Sequence, residues 1–124
     1  MKISDITVMI CDDSPLVIKK TGDILHKIGI THTIQASDGE EVVAQYKNSK
    51  PDLVFMDIVM PKKTGIEALR EIKEFDHNAR IVMASTIGTQ SNLITAIKEG
   101  ALEFLQKPIK EEDVLKVVNR MLKE

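Results

Sequence analysis

Two adjacent carboxylates, Asp12 and Asp13, end an apolar segment of the sequence, ICDDSP, in which a serine and a proline follow them. Three more reactive side chains stand at the ends of other apolar segments: Asp57, Ser85 and Lys107. Carboxylates, a hydroxyl and an ammonium are the groups that hold a divalent cation and stabilise a phosphoryl group during its transfer. They can act together only if the fold brings them to one place.

Five short apolar segments predict β-strands, at residues 6–10, 31–36, 52–56, 80–85 and 102–106. Helix-length segments lie between them, and Ser14, Asp38 and Thr64 give three of these helices a start signal. Each helix carries an apolar stripe, as a helix with one face toward the core does. In the fourth helix the stripe is Leu93, Ile94 and Ile97. Strict alternation predicts one α/β domain over residues 1–124, with a parallel sheet covered by five helices.

The polarity of the strands predicts their order. The first, third and fourth are almost free of polar residues and should be central, whereas the second carries His32 and Gln35 and should lie at an edge. With right-handed crossovers this favours the order 2-1-3-4-5. The carboxyl ends of all strands then share one rim, and ligands bind where the order reverses, between strands 1 and 3. The reactive residues should therefore converge there.

The predicted rim calls for a cation. Two unit charges about 4 Å apart repel by on the order of 4 kcal/mol at an effective dielectric of about 20, so three carboxylates need compensation. Lys107 offers one positive charge, and an all-oxygen ligand set favours Mg²⁺ for the rest. Asp57, on a central strand, is the predicted nucleophile for a phosphoryl group. Asp12 and Asp13 would hold the metal, and Lys107 with the Ser85 hydroxyl would stabilise the transferred charge.

The segments CDDSP, FMDIVMPKKTG, MAST and FLQKPI resemble the four signatures of the receiver domain of two-component response regulators. The resemblance implies a flavodoxin-like fold, a cis Lys107–Pro108 bond, and Mg²⁺-dependent phosphorylation of Asp57 by a phosphohistidine of a sensor histidine kinase. The expected metal ligands are Asp57, Asp13 directly, Asp12 through water, and the backbone carbonyl of Val59. Such a protein catalyses only its own phosphorylation and slow dephosphorylation, and is not otherwise an enzyme.

The resemblance also implies a switch and a partner. Ser85 would move toward the phosphoryl group and Phe104 would turn inward, which changes the surface formed by helix 4, strand 5 and helix 5. A core position for Phe104 is the alternative. The segment STIGTQSNLITAIKEGALEFLQKP resembles the chemotaxis class of single-domain receivers, CheY-like proteins, whose partners are a flagellar motor switch protein or a phosphatase.

Several positions near the predicted site depart from common receiver sequences or bear on its chemistry. Thr86 stands where a small alanine is commonest, and PKKTG replaces the usual acidic or small residues; both could slow phosphoryl access. Val59 and Ile87 are apolar and offer no group that positions a hydrolytic water. We therefore expect a phosphoryl state that lasts minutes or longer.

Composition limits the possible functions. The chain has 43% hydrophobic and 29% charged residues and a formal net charge of −2, which gives no footprint for nucleic acid. The single cysteine, Cys11, excludes an intramolecular disulfide and is predicted to pack in the core.

No apolar run approaches the roughly 20 residues of a membrane span. We expect a cytoplasmic protein without membrane insertion. The three histidines, His26, His32 and His77, are predicted to be surface residues.

Three alternatives remain at this stage. The chain could be the receiver of a longer regulator with a DNA-binding or enzymatic output. A phosphatase of the haloacid-dehalogenase type also uses an aspartate nucleophile, but it carries a second acid two residues later, where this chain has Val59. A flavodoxin-like electron carrier is disfavoured, because one tyrosine, three phenylalanines and no tryptophan leave few rings to enclose a flavin.

Overall fold

The computed structural model describes residues 2–86 and 90–123, with the side chain of Gln90 omitted. A short 3₁₀ turn at Ile3–Asp5 precedes the first strand. The strands are β1 (Thr7–Cys11), β2 (His32–Ala36), β3 (Leu53–Asp57), β4 (Ile81–Ser85) and β5 (Glu103–Gln106). The helices are α1 (Pro15–Lys27), α2 (Gly39–Ser49), α3 (Gly65–Phe75), α4 (Gln90–Lys98) and α5 (Glu111–Leu122).

All four pairs of neighbouring strands are parallel, and their order is β2-β1-β3-β4-β5, which confirms the predicted topology. The predicted edge strand, β2, exposes His32 and Gln35. The observed strands begin one residue later than predicted, and Asp57 is consequently the last residue of β3.

Alternate residues of the central strands point to opposite faces of the sheet. Met9, Met56 and Met83 belong to the core on one face, together with residues of α2, α3 and α4. Val8 and Phe55 belong to the core on the other face, together with residues of α1 and α5. Cys11 is buried in the first of these cores, as predicted. The core thus lies in two layers, with the sheet between them.

The predicted helix starts are confirmed. Ser14 and Asp38 cap α1 and α2, and Thr64 forms a reciprocal capping box with Glu67 at α3. At α2 the reciprocal bond is shifted by one residue, because the side chain of Glu41 accepts from the backbone N–H of Ser37. Each cap satisfies backbone donors that the first helical turn leaves unpaired.

The interpretation of the α4 stripe as a core face is wrong. Leu93, Ile94 and Ile97 are 40%, 47% and 52% exposed, whereas Ala96 is buried, alone among the described side chains of α4. The physical reason is position: α4 is nine residues long, and it packs beside β5, the last strand of the sheet. A small alanine makes the core contact and the larger side chains face outward. The three histidines are exposed, as predicted.

Across the described ranges 2–86 and 90–123, no helix has both the length and the apolar character that crossing a bilayer requires.

Candidate functional site

Asp12 lies directly after β1 and is only 3% exposed. Its backbone N–H continues the strand ladder by donating to the carbonyl of Ala36 at 3.1 Å. One carboxylate oxygen accepts from the backbone N–H of Ser14 at 2.9 Å, and the other accepts from Nζ of Lys107 at 2.5 Å. Both oxygens of Asp12 are thus already engaged. The adjacent Asp13 is exposed.

Asp57 ends β3, where the side chain emerges at the rim and is 12% exposed. Oδ1 lies 3.3 Å from Nζ of Lys107, and the backbone N–H of Val59 also donates to the carboxylate. Burial raises the pKa of Asp57 above its ordinary value; the ammonium of Lys107 opposes the rise and the charge of Asp12 adds to it. The carboxylate is therefore held where its negative charge is poorly solvated.

Ser85 and Lys107 reach the rim from β4 and β5. Ser85 is the last residue of β4 and is 6% exposed. Its carbonyl accepts from the backbone N–H of Lys107 at 2.9 Å, and the bond from Lys107 to Pro108 is cis, as predicted. The Lys107 side chain is 10% exposed and bridges Asp12 and Asp57. The fold thus brings together the residues that the sequence predicted for this rim.

The donor set fits a divalent metal. Asp12, Asp13 and Asp57 each offer a carboxylate oxygen, and these atoms lie within 4.8 Å of one another. Three carboxylates and one ammonium leave two negative charges, which one divalent cation would balance. An all-oxygen set with an exposed member suits Mg²⁺, which keeps several waters when it binds.

The structure also locates the remaining predicted residues. Val59 is 72% exposed beside Asp57. Phe104 is partly buried and packs against the core on the α3 side of the sheet. This position is compatible both with a role in the core and with a side chain that turns inward as a switch. Thr86 is exposed next to Ser85. Ile87 lies outside the described residues.

Two glycines that the sequence did not single out shape the loop after Asp57. A Cβ on Gly65 would lie 2.1 Å from the carbonyl oxygen of Asp57, and one on Gly39 would lie 2.2 Å from that of Lys63. The N–H of Gly65 donates to the carbonyl of Ile58 at 2.7 Å. The start of α3 therefore closes directly on the phosphoacceptor candidate. The signal was present in the sequence as a glycine just after the Thr64 cap.

The same loop holds the two lysines of PKKTG. Lys63 forms an ion pair with Glu71 at 2.6 Å, which raises the pKa of the lysine through the hydrogen bond to the carboxylate. Lys62 has a positive φ of 68°, and its Nζ lies 3.7 Å from Asp38. Both lysines thus have partners within the protein.

The topology and the acidic rim are those of a receiver, and the chain belongs to the response regulator receiver domain family, which it matches over residues 8–119. It is a phosphorylation-dependent response regulator of the CheY-like type. It is 44% identical over 115 residues to the chemotaxis protein CheY of Bacillus subtilis, covering 93% of this chain and 96% of the relative. CheY of Thermotoga maritima is 40% identical over 116 residues, 94% of this chain and 97% of the relative.

A solved structure gives the same result for the fold. The chain is similar to one in the crystal structure of the CheX-CheY-BeF₃-Mg²⁺ complex from Borrelia burgdorferi, with a TM-score of 0.89 and 38% identity. The similarity covers 94% of this chain and 89% of that one. The flavodoxin-like receiver fold is thereby confirmed, and the phosphatase and electron-carrier alternatives lose their support.

Proposed function

We propose that the protein accepts a phosphoryl group on Asp57 from a phosphohistidine of a sensor histidine kinase, in a reaction that requires Mg²⁺. The observation that carries the proposal is the position of the Asp57 carboxylate, 3.3 Å from the Lys107 ammonium and grouped with oxygens of Asp12 and Asp13. A carboxylate in this setting can attack phosphorus without a general base, because it has no proton to lose.

The chemistry is a transfer of one phosphoryl group. An oxygen of Asp57 forms a bond to phosphorus as the phosphorus–nitrogen bond of the donor breaks, and the electron pair of that bond returns to the imidazole. Lys107 pairs with a phosphoryl oxygen, and the Ser85 hydroxyl donates a hydrogen bond to another. Mg²⁺, when bound, neutralises the negative charge that the carboxylates and the phosphoryl oxygens share.

The contacts of Asp12 support a division of work among the metal ligands. Its two oxygens already accept from the Ser14 N–H and from Lys107, which favours a contact to the metal through water. The exposed carboxylate of Asp13 and the rim-facing oxygen of Asp57 are better placed for direct ligation. The backbone carbonyl of Val59 is the further ligand that we propose.

The phosphoryl group should be long-lived. Val59, beside Asp57, is exposed and apolar, so it cannot orient a water for attack on the acyl phosphate. We propose that Ile87, which is also apolar, likewise offers no group that could orient this water. The expected half-life in the absence of a phosphatase is minutes or longer, and a decay within seconds would contradict this assignment.

We propose a chemotaxis output through the α4-β5-α5 surface, here the outward face of α4 with Phe104 and α5. Leu93, Ile94 and Ile97 give that face exposed apolar side chains, the kind of surface that marks a protein interaction site. The partner would be a flagellar motor switch protein or a phosphatase; the similar Borrelia protein was crystallised in a complex with CheX. Ser85 and Phe104 would couple the phosphoryl group to this face. The protein would work in the cytoplasm and catalyse no reaction but its own modification.

The decisive experiment is intact-mass spectrometry after incubation with acetyl phosphate and Mg²⁺. We expect one phosphoryl adduct on the wild type and none on Asp57→Asn or in the presence of EDTA. Asp23→Asn, an exposed aspartate of α1, is the matched control and should be modified like the wild type. An adduct that survives Asp57→Asn would overturn the site.

A further inference from the structure

A cleft of about 530 Å³ opens at the end of the sheet opposite Asp57, where β4 and β5 begin. Three basic residues line it from three parts of the chain: Lys73 of α3, Arg80 just before β4, and Arg120 of α5. His77 and Asn78 add polar groups, and the lining contains no acid. This concentration of positive charge stands out in a protein whose net charge is −2.

The cation of Lys73 is held in place. Its Nζ donates to the carbonyls of His77 at 2.6 Å and Ala79 at 3.1 Å, which uses two of the three N–H groups of the ammonium. Its stem crosses Gly100, where a Cβ would lie 2.8 Å from Cε of the lysine. Gly100 also has a φ of +98°, which strains any other side chain. The chain thus leaves room for this lysine to lie across the cleft.

Arg120 forms a weak ion pair within the protein, and the carboxylate of that pair would compete with a bound anion. Its guanidinium lies 3.3 Å from the carboxylate of Glu103, and the two side chains are 58% and 43% exposed. Such an exposed ion pair contributes little to stability. A guanidinium has five N–H donors in a planar fork that matches phosphate oxygens, so an anion could share or displace the carboxylate.

We propose that this cleft binds a diphosphate group, either free or as part of a nucleotide. Three positive charges around a recess, of which that of Lys73 is held by two backbone carbonyls, suit an anion that spreads several charges over two linked phosphates. Small-molecule sites are recesses of about 300 to 1,000 Å³, and this volume lies within that range. A nucleic acid backbone would instead need a basic stripe along the surface.

The presence of two of the cations in the cleft also has a simpler explanation, in the dipoles of the helices that carry them. Lys73 and Arg120 lie in the last turns of α3 and α5, where a positive charge offsets the helix dipole. If that were their whole role, removing one would change stability and leave anion binding unchanged.

The test is titration of the full chain with pyrophosphate, without Mg²⁺ and with EDTA, followed by amide NMR and calorimetry. We expect saturable binding, with shifts of the backbone amides of residues 100–102. Arg120→Gln should weaken binding about tenfold, the loss of one charge-assisted contact. Lys116→Gln, an exposed lysine of the same helix outside the cleft, is the control and should bind like the wild type.

The ligand's source is distinguished by parallel titrations with ADP and AMP. Equal binding of pyrophosphate and ADP would assign the site to the diphosphate itself, and tighter binding of ADP would assign it to a nucleotide. AMP should bind more weakly than either. Absence of saturable binding, shifts confined to the rim near Lys107, or equal affinity of Arg120→Gln and the wild type would each overturn the proposal.

Discussion

At the scale of single residues, Lys107 is the group that compensates the carboxylates of the rim. It is the cation that contacts both the nearly buried Asp12, at 2.5 Å, and the proposed phosphoacceptor Asp57, at 3.3 Å. A buried carboxylate that loses its partner is costly, whereas the intact pair contributes little by comparison with two apolar groups. The lysine therefore has a structural role before any phosphoryl group arrives.

Lys107→Met should lower the free energy of unfolding by about 2 to 4 kcal/mol at neutral pH, because Asp12 is left buried without its cation. Urea denaturation measures the loss, and Mg²⁺ should restore part of it. Lys98→Met, in an exposed position of α4, is the control. A loss equal to that of the control would mean that Lys107 does not compensate the carboxylates.

Asp57→Asn should stabilise the metal-free protein at pH 7. The folded state raises the pKa of Asp57, mainly by burial, so the contribution of this one group to stability falls as the pH rises from the ordinary value of 3.8 through the folded pKa. The asparagine of the variant does not titrate, so the variant does not lose this stability as the pH rises. The gain is on the order of 1 kcal/mol, since the attraction of Lys107 disappears together with the repulsion of the other acids.

Thermal unfolding in EDTA across the acid range tests this expectation. The advantage of Asp57→Asn should be absent below pH 3.8, grow as the pH rises, and diminish when Mg²⁺ is added. A variant that is less stable than the wild type at pH 7 would show that the Asp57 charge is favourable in the metal-free protein.

At the scale of elements, the connection from β3 to α3 positions Asp57, the proposed phosphoacceptor. Gly65 begins α3 so close to Asp57 that even a methyl group would lie 2.1 Å from the backbone oxygen of the aspartate. The helix can start there only with a glycine. Because the start of α3 approaches the backbone of Asp57 so closely, the position of the Asp57 carboxylate depends on Gly65, although this residue has no side chain.

Gly65→Ala should destabilise the protein by more than about 2 kcal/mol and slow phosphorylation of Asp57, because the backbone around the carboxylate must move. Gly22→Ala is the matched control: it lies inside α1, its Cβ would meet the Ile10 side chain at 3.8 Å, and it should be neutral or stabilising by up to about 1 kcal/mol. Equal behaviour of the two variants in urea denaturation and acetyl phosphate labelling would contradict this role.

A second element-scale contact joins α2 to the end of α3. The hydroxyl of the buried Tyr46 donates to Asp76 at 2.8 Å, and this hydrogen bond lowers the pKa of the carboxyl. Burial is the first cause of a raised pKa at Tyr46, and the bond to Asp76 is the second. The pair fixes the carboxyl end of α3 against α2.

Tyr46→Phe should cost about 1.5 to 2 kcal/mol at pH 7, the lower part of the range for a hydrogen bond to a charged group, because Asp76 is only partly buried. The depressed pKa of Asp76 contributes stability that is present above pH 3.8 and is lost as the pH falls through the folded pKa. The difference in the free energy of unfolding between the wild type and Tyr46→Phe should therefore become smaller in acid. A double-mutant cycle with Asp76→Asn isolates the pair; a coupling energy near zero would exclude it as a tie between the helices.

At the scale of the whole molecule, the described surface separates three regions. The acidic rim lies at the carboxyl ends of the strands, the basic cleft lies at their amino ends, and the apolar face of α4 lies at one side. The sheet connects the rim to the cleft through β4, which starts beside Arg80 and ends in Ser85. Chemistry and recognition can therefore occupy different surfaces of a domain with one fold.

Ile94→Ser should weaken binding of the phosphorylated protein to a flagellar motor switch protein at least about tenfold, since it removes an exposed apolar side chain from the proposed contact. Asp57 phosphorylation and stability should be unchanged. Leu16→Ser is the control, an apolar side chain 60% exposed on α1, a helix that is not part of the proposed α4-β5-α5 surface. Pull-downs with and without beryllofluoride measure the effect, and equal binding by both variants and both states would refute the output surface.

Much of this fold could be predicted from sequence because its signals are local. Alternating apolar and amphipathic segments predicted the five strands and five helices, and the polar residues of β2 marked the edge. Ser14, Asp38 and Thr64 cap helices through hydrogen bonds to backbone groups within three residues, which a sequence displays directly. Position along the chain also predicted which residues would share the rim.

The outward face of α4 and the roles of Gly39 and Gly65 could not be predicted in this way, because they depend on what lies across space. Leu93, Ile94 and Ile97 read as a core stripe until the helix is seen to pack beside the last strand with Ala96 inward. The glycines matter because of backbone oxygens that approach them.

The sequence by itself determined the elements, their order in the sheet and the set of reactive residues, since these follow from periodicity, capping and chain connectivity. Only the tertiary structure decided that Lys107 pairs with Asp12 as well as with Asp57, which carboxylate oxygens stay accessible, and where three distant cations meet. Those features are distances between residues far apart in the chain, and no local pattern records them.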